Sequence, residues 1–111
     1  MHEYSIIQSL VDSVEAAVAR RGPVHRIEVR IGDLSGVDCE LLATAYDVFR
    51  AGTICETATM AIERVPAVWA CPKCKAAIER GTMLRCRDCN EPARLVTGDE
   101  IVLQRIELEV A

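Results

Sequence analysis

The sequence predicts an α+β fold: a three-stranded sheet packed by two helices, with a small four-cysteine, zinc-ribbon-like insertion before the last strand. Three observations predict it. Apolar residues recur at helical spacing over residues 3–21 and 38–51. They recur at strand spacing over 24–31, 58–65 and 100–110. Between the last two strands lie two Cys-x-x-Cys pairs, Cys71-Pro72-Lys73-Cys74 and Cys86-Arg87-Asp88-Cys89, eleven residues apart. The 111 residues suffice for one compact body and a small appendage. The expected division is residues 1–65 with 96–111 for the body and 66–95 for the cysteine unit.

The first helix places Ile6, Ile7, Leu10, Val11, Val14, Ala17 and Val18 on one side. Gln8, Asp12, Glu15 and Arg20 fall mostly on the other. Gly22-Pro23 stops it, and Arg20 and Arg21 are expected to complement the negative end of its dipole. In the first strand Ile27, Val29 and Ile31 alternate with Arg26, Glu28 and Arg30, so one face is buried and one is wet. His25, beside Pro23, is expected to be a half-exposed edge residue. Gly32-Asp33-Leu34-Ser35-Gly36 forms a loop. Asp38 is placed to cap the second helix, whose apolar stripe is Leu41, Leu42, Ala45, Val48 and Phe49, and Gly52 to stop it. Met60 and Ile62 share a face of the next strand, which Pro66 ends. In the last strand Ile101 and Leu103 share one parity and Ile106, Leu108 and Val110 the other. That switch requires a bulge or a strong twist near Gln104.

Two Cys-x-x-Cys pairs at this spacing suit a tetrahedral zinc site. Each pair offers two thiolates from one tight turn, and four sulfurs leave no open position, so the site is structural rather than catalytic. A pair of disulfides, a redox Cys-x-x-Cys or an iron–sulfur cluster are the competing readings. Pro72 opposes the helix a redox motif would open. Residues 71–94 carry six basic and three acidic residues, against seven and fourteen in the rest of the chain. A Zn²⁺ with four thiolates is a dianion, so nearby cations need no other explanation. Cys39 and Cys55 are expected to be reduced, buried small hydrophobes.

The formal net charge of −4 and the short aromatic inventory (Tyr4, Tyr46, Phe49, Trp69) oppose a nucleic-acid surface. No apolar run is long enough to span a bilayer, and Met1-His2-Glu3 lacks signal-peptide character, so a cytoplasmic protein without a membrane partner is expected. The same three residues are a candidate chelate. The Met1 amine, the His2 backbone nitrogen and the His2 imidazole can close adjacent rings on Ni²⁺ or Cu²⁺, and Glu3 can add a carboxylate or a second backbone nitrogen. A frayed, non-specific terminus is the competing reading.

Met-His-Glu-Tyr-Ser opening a helix, Gly-Asp-Leu-Ser-Gly-Val-Asp after the first strand, the four cysteines, and a final strand ending Ile-Glu-Leu-Glu-Val together resemble the HypA/HybF family of hydrogenase maturation factors. The resemblance spans essentially the whole chain. It implies a nickel metallochaperone, not an enzyme, delivering Ni²⁺ to the [NiFe] hydrogenase active site. The implied nickel donors are Met1, His2 and Glu3, with Asp38 as the matching loop carboxylate. The implied structural zinc ligands are Cys71, Cys74, Cys86 and Cys89. The implied partners are a HypB-type nickel GTPase and the hydrogenase large subunit. The chain departs from the family pattern at Arg87, at Cys39 where proline is frequent, and in having no histidine beside the knuckles, which favours service to hydrogenase over urease. The rival classes are a zinc-ribbon interaction module without nickel delivery, a urease-directed nickel chaperone and a metal-dependent enzyme; four cysteines with no histidine nearby lack the open metal position the last requires.

Overall fold

A computed structural model describes residues 2–19, 21–79 and 83–109. The elements are α1 (His2–Val18), β1 (Val24–Gly32), α2 (Cys39–Phe49), β2 (Thr59–Val65), β3 (Val68–Ala70), β4 (Ala77–Ile78), β5 (Arg94–Thr97) and β6 (Ile101–Leu108). They form two three-stranded sheets, ordered β2-β1-β6 and β4-β3-β5. The first sheet, with both helices, is the predicted α+β body. The second was not legible in the sequence, because strands of two to four residues show no periodicity.

β1 is the central strand, parallel to β2 and antiparallel to β6. A parallel neighbour demands a crossover, and α2 supplies it. Ile27, Val29 and Ile31 are almost fully buried beneath Ile7, Leu10, Val11, Val14 and Val18 of α1 and Leu42 and Tyr46 of α2. Each such aliphatic side chain contributes about 1.5–3 kcal/mol on leaving water.

The parity switch in β6 is a bulge. Arg105 pairs with Glu28 and Leu103 with Val29, so Gln104 has no partner on β1. The extra residue returns Ile101 and Leu103 to the face that Ile106 occupies opposite Ile27. A second irregularity leaves His25 without a partner between Val24 and Arg26, which turns Val24 into the core. His25 is therefore exposed on the central strand rather than half-exposed at an edge. The other face of the sheet carries paired charges: Arg26 with Glu107 and Arg30 with Glu63 across strands, Arg26 with Glu28 and Arg105 with Glu107 along one strand.

α1 ends at Val18, short of the expected residue 21. Ala19 adopts φ 47°, and the Arg21 N–H donates to the Val18 carbonyl at 3.1 Å. Arg21 thus lies beyond the last helical turn, which holds no basic residue among the described residues. Arg20 and Val110 lie outside the described residues. Past α2 the chain is held by Tyr46. Its hydroxyl donates to the Ala58 carbonyl at 2.8 Å, and Arg50 Nη1 donates to the same oxygen at 2.8 Å. Burial raises the Tyr46 pKa above the ordinary phenol range, and burial raises the adjacent Cys55 thiol as well. Cys55 is fully buried, as expected, while Cys39 is half-buried.

The two sheets meet at a narrow joint. The Leu34 N–H donates to the Gly98 carbonyl at 2.7 Å, Asp33 N–H to Val65 O at 2.9 Å and Gly32 N–H to Glu100 O at 2.8 Å. At Gly98, φ is +111° and a Cβ would lie 2.6 Å from the Ala67 Cα. Only glycine combines that dihedral with that approach. The radius of gyration is 17.8 Å, against about 13 Å for a compact chain of this length. The second sheet therefore extends the molecule rather than folding onto the first.

Gly98→Ala is expected to cost about 1–3 kcal/mol, measured by urea unfolding. Gly22→Ala, with φ +126° but nothing within 4 Å of a Cβ, is the reference. Equal losses from both would remove the close-packing account of the joint.

Candidate metal centres

The two knuckles are built alike. In the first, Cys71 N–H donates to Ala76 O at 2.9 Å and Lys75 N–H to Cys71 O at 3.0 Å. In the second, Cys86 N–H donates to Glu91 O at 2.9 Å and Asn90 N–H to Cys86 O at 2.9 Å. Lys75 and Asn90 both take left-handed backbone, φ 66° and 55°. Asparagine tolerates that region better than lysine, so the first turn carries the greater strain. β3 leads into the first knuckle and β4 leaves it; an Arg85–Pro92 bridge brackets the second.

The four Sγ atoms lie within 4.8 Å of one another, and Cys74 Sγ is 3.7 Å from Cys86 Sγ. Sulfurs about 2.3 Å from a tetrahedral zinc are about 3.8 Å apart, so the donor set fits the ion. All six cysteines are free thiols, which removes the disulfide reading. The competing redox motif needs a helix, and the pairs sit in turns.

The thiols are not equivalent. The Cys74 backbone N–H, 3.5 Å from Cys71 Sγ, pulls the Cys71 pKa down to about 7 against the opposing effect of burial. At Cys74 the Ala76 backbone N–H favours the thiolate, but the Cys71 and Cys86 thiols oppose it and the net shift is upward. Cys89 is pushed up to about 12, first by the Cys74 thiol and then by burial. The protein alone thus stabilises one thiolate well. A cation must offset the remaining charge, and its arrival releases protons. Lys73 Nζ lies 3.7 Å from Glu91 Oε1, linking the knuckles across exposed surface, a contact of little energetic weight.

At the opposite end, the Met1 position and the His2 side chain lie outside the described residues. α1 begins at His2. Glu3 and Asp38, 35 residues apart, come together: the Asp38 N–H donates to Glu3 Oε2 at 3.2 Å. Asp38 is also the N-cap of α2, as expected, with Oδ1 accepting from Glu40 N–H at 3.0 Å and Leu41 N–H at 3.1 Å. Two helix N-termini therefore converge on two carboxylates, and the negative charge offsets both dipole ends. Tyr4 packs edge-on against Phe49, ring centroids 5.2 Å apart, so the first turn of α1 touches both ends of α2.

Beside Asp38 lies a cleft of about 400 Å³, lined by Asp33, Cys39 and Arg64 among others. Arg64 was missed in the sequence. Its parity matches the core-facing Met60 and Ile62, and it pairs with Ile31. A charge at a core-parity position where the strand runs out was the available signal.

The family model described as hydrogenase/urease nickel incorporation, metallochaperone, HypA matches residues 1–108. A hydrogenase maturation factor HypA from Nitrosospira multiformis is 40% identical over 112 residues, covering 97% of each chain. A solution structure of a HypA protein aligns with a TM-score of 0.78 at 25% identity, over 98% of this chain and 97% of that one. The solution structure of the nickel metallochaperone HypA from Helicobacter pylori shares the fold, with a TM-score of 0.71 at 24% identity over 96% of each chain. With its body, its four-cysteine turns and nearly its full length matched, the chain belongs to the HypA family of nickel-incorporation metallochaperones.

Proposed function

We propose that this chain carries Ni²⁺ on the Met1 amine, the His2 backbone and imidazole, and Glu3, with Asp38 beside them, and delivers it for assembly of the [NiFe] hydrogenase active site. One observation supports the assignment: the hydrogen bond from Asp38 N–H to Glu3 Oε2, which brings the backbone of the loop at Asp38 against the first turn of α1. Amine, imidazole and amide nitrogens suit Ni²⁺. Few donors at one terminus let the ion leave quickly, whereas a closed four-thiolate cage would retain it.

Cys71, Cys74, Cys86 and Cys89 then hold a structural zinc. Bound there, Zn²⁺ cross-links the two turns and compensates the thiolate charge that the protein leaves unbalanced. The working units are residues 1–65 with 96–111, which handle nickel, and 66–95, which zinc holds in shape. No reaction turns over on this chain. A HypB-type nickel GTPase and the hydrogenase large subunit are its partners, and the cytoplasm is its compartment. No helix among the described residues is long and apolar enough to cross a membrane.

Nickel titration tests the first assignment. His2→Ala, or residues added before Met1, should weaken binding by at least about tenfold. Undiminished stoichiometric binding in both would refute the site. Asp38→Asn separates ligation from capping, since asparagine caps as well as aspartate: thermal stability should hold while nickel affinity falls. Equal affinity would remove Asp38 from the donor set.

Zinc affinity should rise with pH. Cys74 and Cys89 hold their protons above the ordinary thiol range and must surrender them to the metal. Between pH 6 and 8, chelator competition should show affinity rising by at least about tenfold per pH unit. A flat profile, or iron in place of zinc on metal analysis, would overturn the assignment. Cys74→Ser should unfold residues 66–95, read by amide exchange, while β1 stays protected.

A further inference from the structure

α2 presents more apolar surface than the core uses. Leu42 and Tyr46 are buried, but Leu41 is 52% exposed and Val48 67% exposed. Seven residues apart, they lie along one line of the helix. Ala45 and Phe49, partly buried, flank that line. Tyr4, 40% exposed, extends it across to α1 through its contact with Phe49. The sequence assigns Leu41 and Val48 to the core stripe; the structure turns them to solvent, on a shoulder continuous with the turn that begins at His2.

Acidic residues predominate around this shoulder. Glu40 and Asp47, also seven residues apart, run parallel to Leu41 and Val48 on the exposed side of α2. Asp38 and Glu3 close its N-terminal end. Arg50, at the C-terminal end of α2, donates to the Ala58 carbonyl and lies 3.8 Å from Asp47, whose side chain stays largely exposed, a contact of little energetic weight. The far face of the sheet differs: its acids and bases pair with each other.

We propose that this shoulder docks a partner protein whose apolar groove is rimmed by lysine or arginine, seating that partner beside the nickel donors. Leu41, Val48 and Tyr4 enter the groove; Glu40 and Asp47 meet the basic rim and set the register. The location next to the cargo rests on the nickel assignment above, but the docking surface does not.

The test uses full-length chains in a host lacking the native copy, read by [NiFe] hydrogenase activity, with nickel titration of each purified protein. Leu41→Ser with Val48→Ser, and separately Glu40→Lys with Asp47→Lys, should each lower maturation by about tenfold or more and leave nickel binding as in the wild type. A photo-crosslinking residue at position 48 should capture a protein of the nickel pathway through a peptide containing lysine or arginine; the same residue at position 63, on the ion-paired face, should not. Full maturation from the serine variant would overturn the surface and leave the nickel assignment standing. Full maturation from the lysine variant would overturn the basic rim. Nickel binding lost together with maturation, or crosslinks only to a second copy of this chain, would also overturn the proposal. Conversely, a wild-type protein that binds no nickel at its terminus, with maturation still lost in both variants, would retain the docking surface and sink the nickel assignment.

Discussion

The fold depends on β6 returning to β1. After β2 the chain leaves the body, builds a second sheet around four cysteines, and must come back antiparallel to the central strand. A one-residue error in that return would move every β6 side chain to the wrong face. The Gln104 bulge reconciles the two halves of the strand, placing Leu103 and Ile106 on the same face of the core. The His25 irregularity does the same for Val24. Register in the body is therefore determined by a strand that the intervening unit must deliver in the correct position, through a joint where Gly98 admits no side chain.

That arrangement separates the four-cysteine centre from the proposed nickel donors. The four sulfurs sit in two matched turns whose backbone hydrogen bonds form within each turn. Proton affinities differ among them because backbone N–H groups favour the Cys71 thiolate, while neighbouring thiols oppose those of Cys74 and Cys89. Such a site binds a permanent divalent ion strongly and has no vacancy for exchange. The other candidate site lies at the end of the body where two helices begin. There the Glu3 carboxylate accepts a hydrogen bond from the Asp38 backbone N–H. A site of few ligands on the first turn of a helix can open without unfolding the core, since Ile7 is the first fully buried residue of α1.

The two sites also share a path through the structure. The loop that ends at Asp38 begins at Gly32, and Leu34 in that loop bonds to Gly98 in the joint. The backbone that positions the loop carboxylate is thus the backbone that receives the second sheet. α2, which Asp38 caps, presents its apolar shoulder from the same place.

The sequence by itself determined the order of the body's elements, the cap at Asp38, the buried face of β1, the need for a bulge or twist near Gln104 and the four sulfurs. Each is local: a period, a spacing, or a residue type with one strong backbone preference. Tertiary structure decided the rest. The second sheet is made of strands too short to carry a period. α1 stops at Val18, and Leu41 and Val48 face outward, because α2 turns Leu42 and Tyr46 into the core with Ala45 and Phe49 at its margin. Glu3 meets Asp38 because α1 and α2 pack with their starting turns together, a contact between residues far apart in the chain that no local pattern encodes.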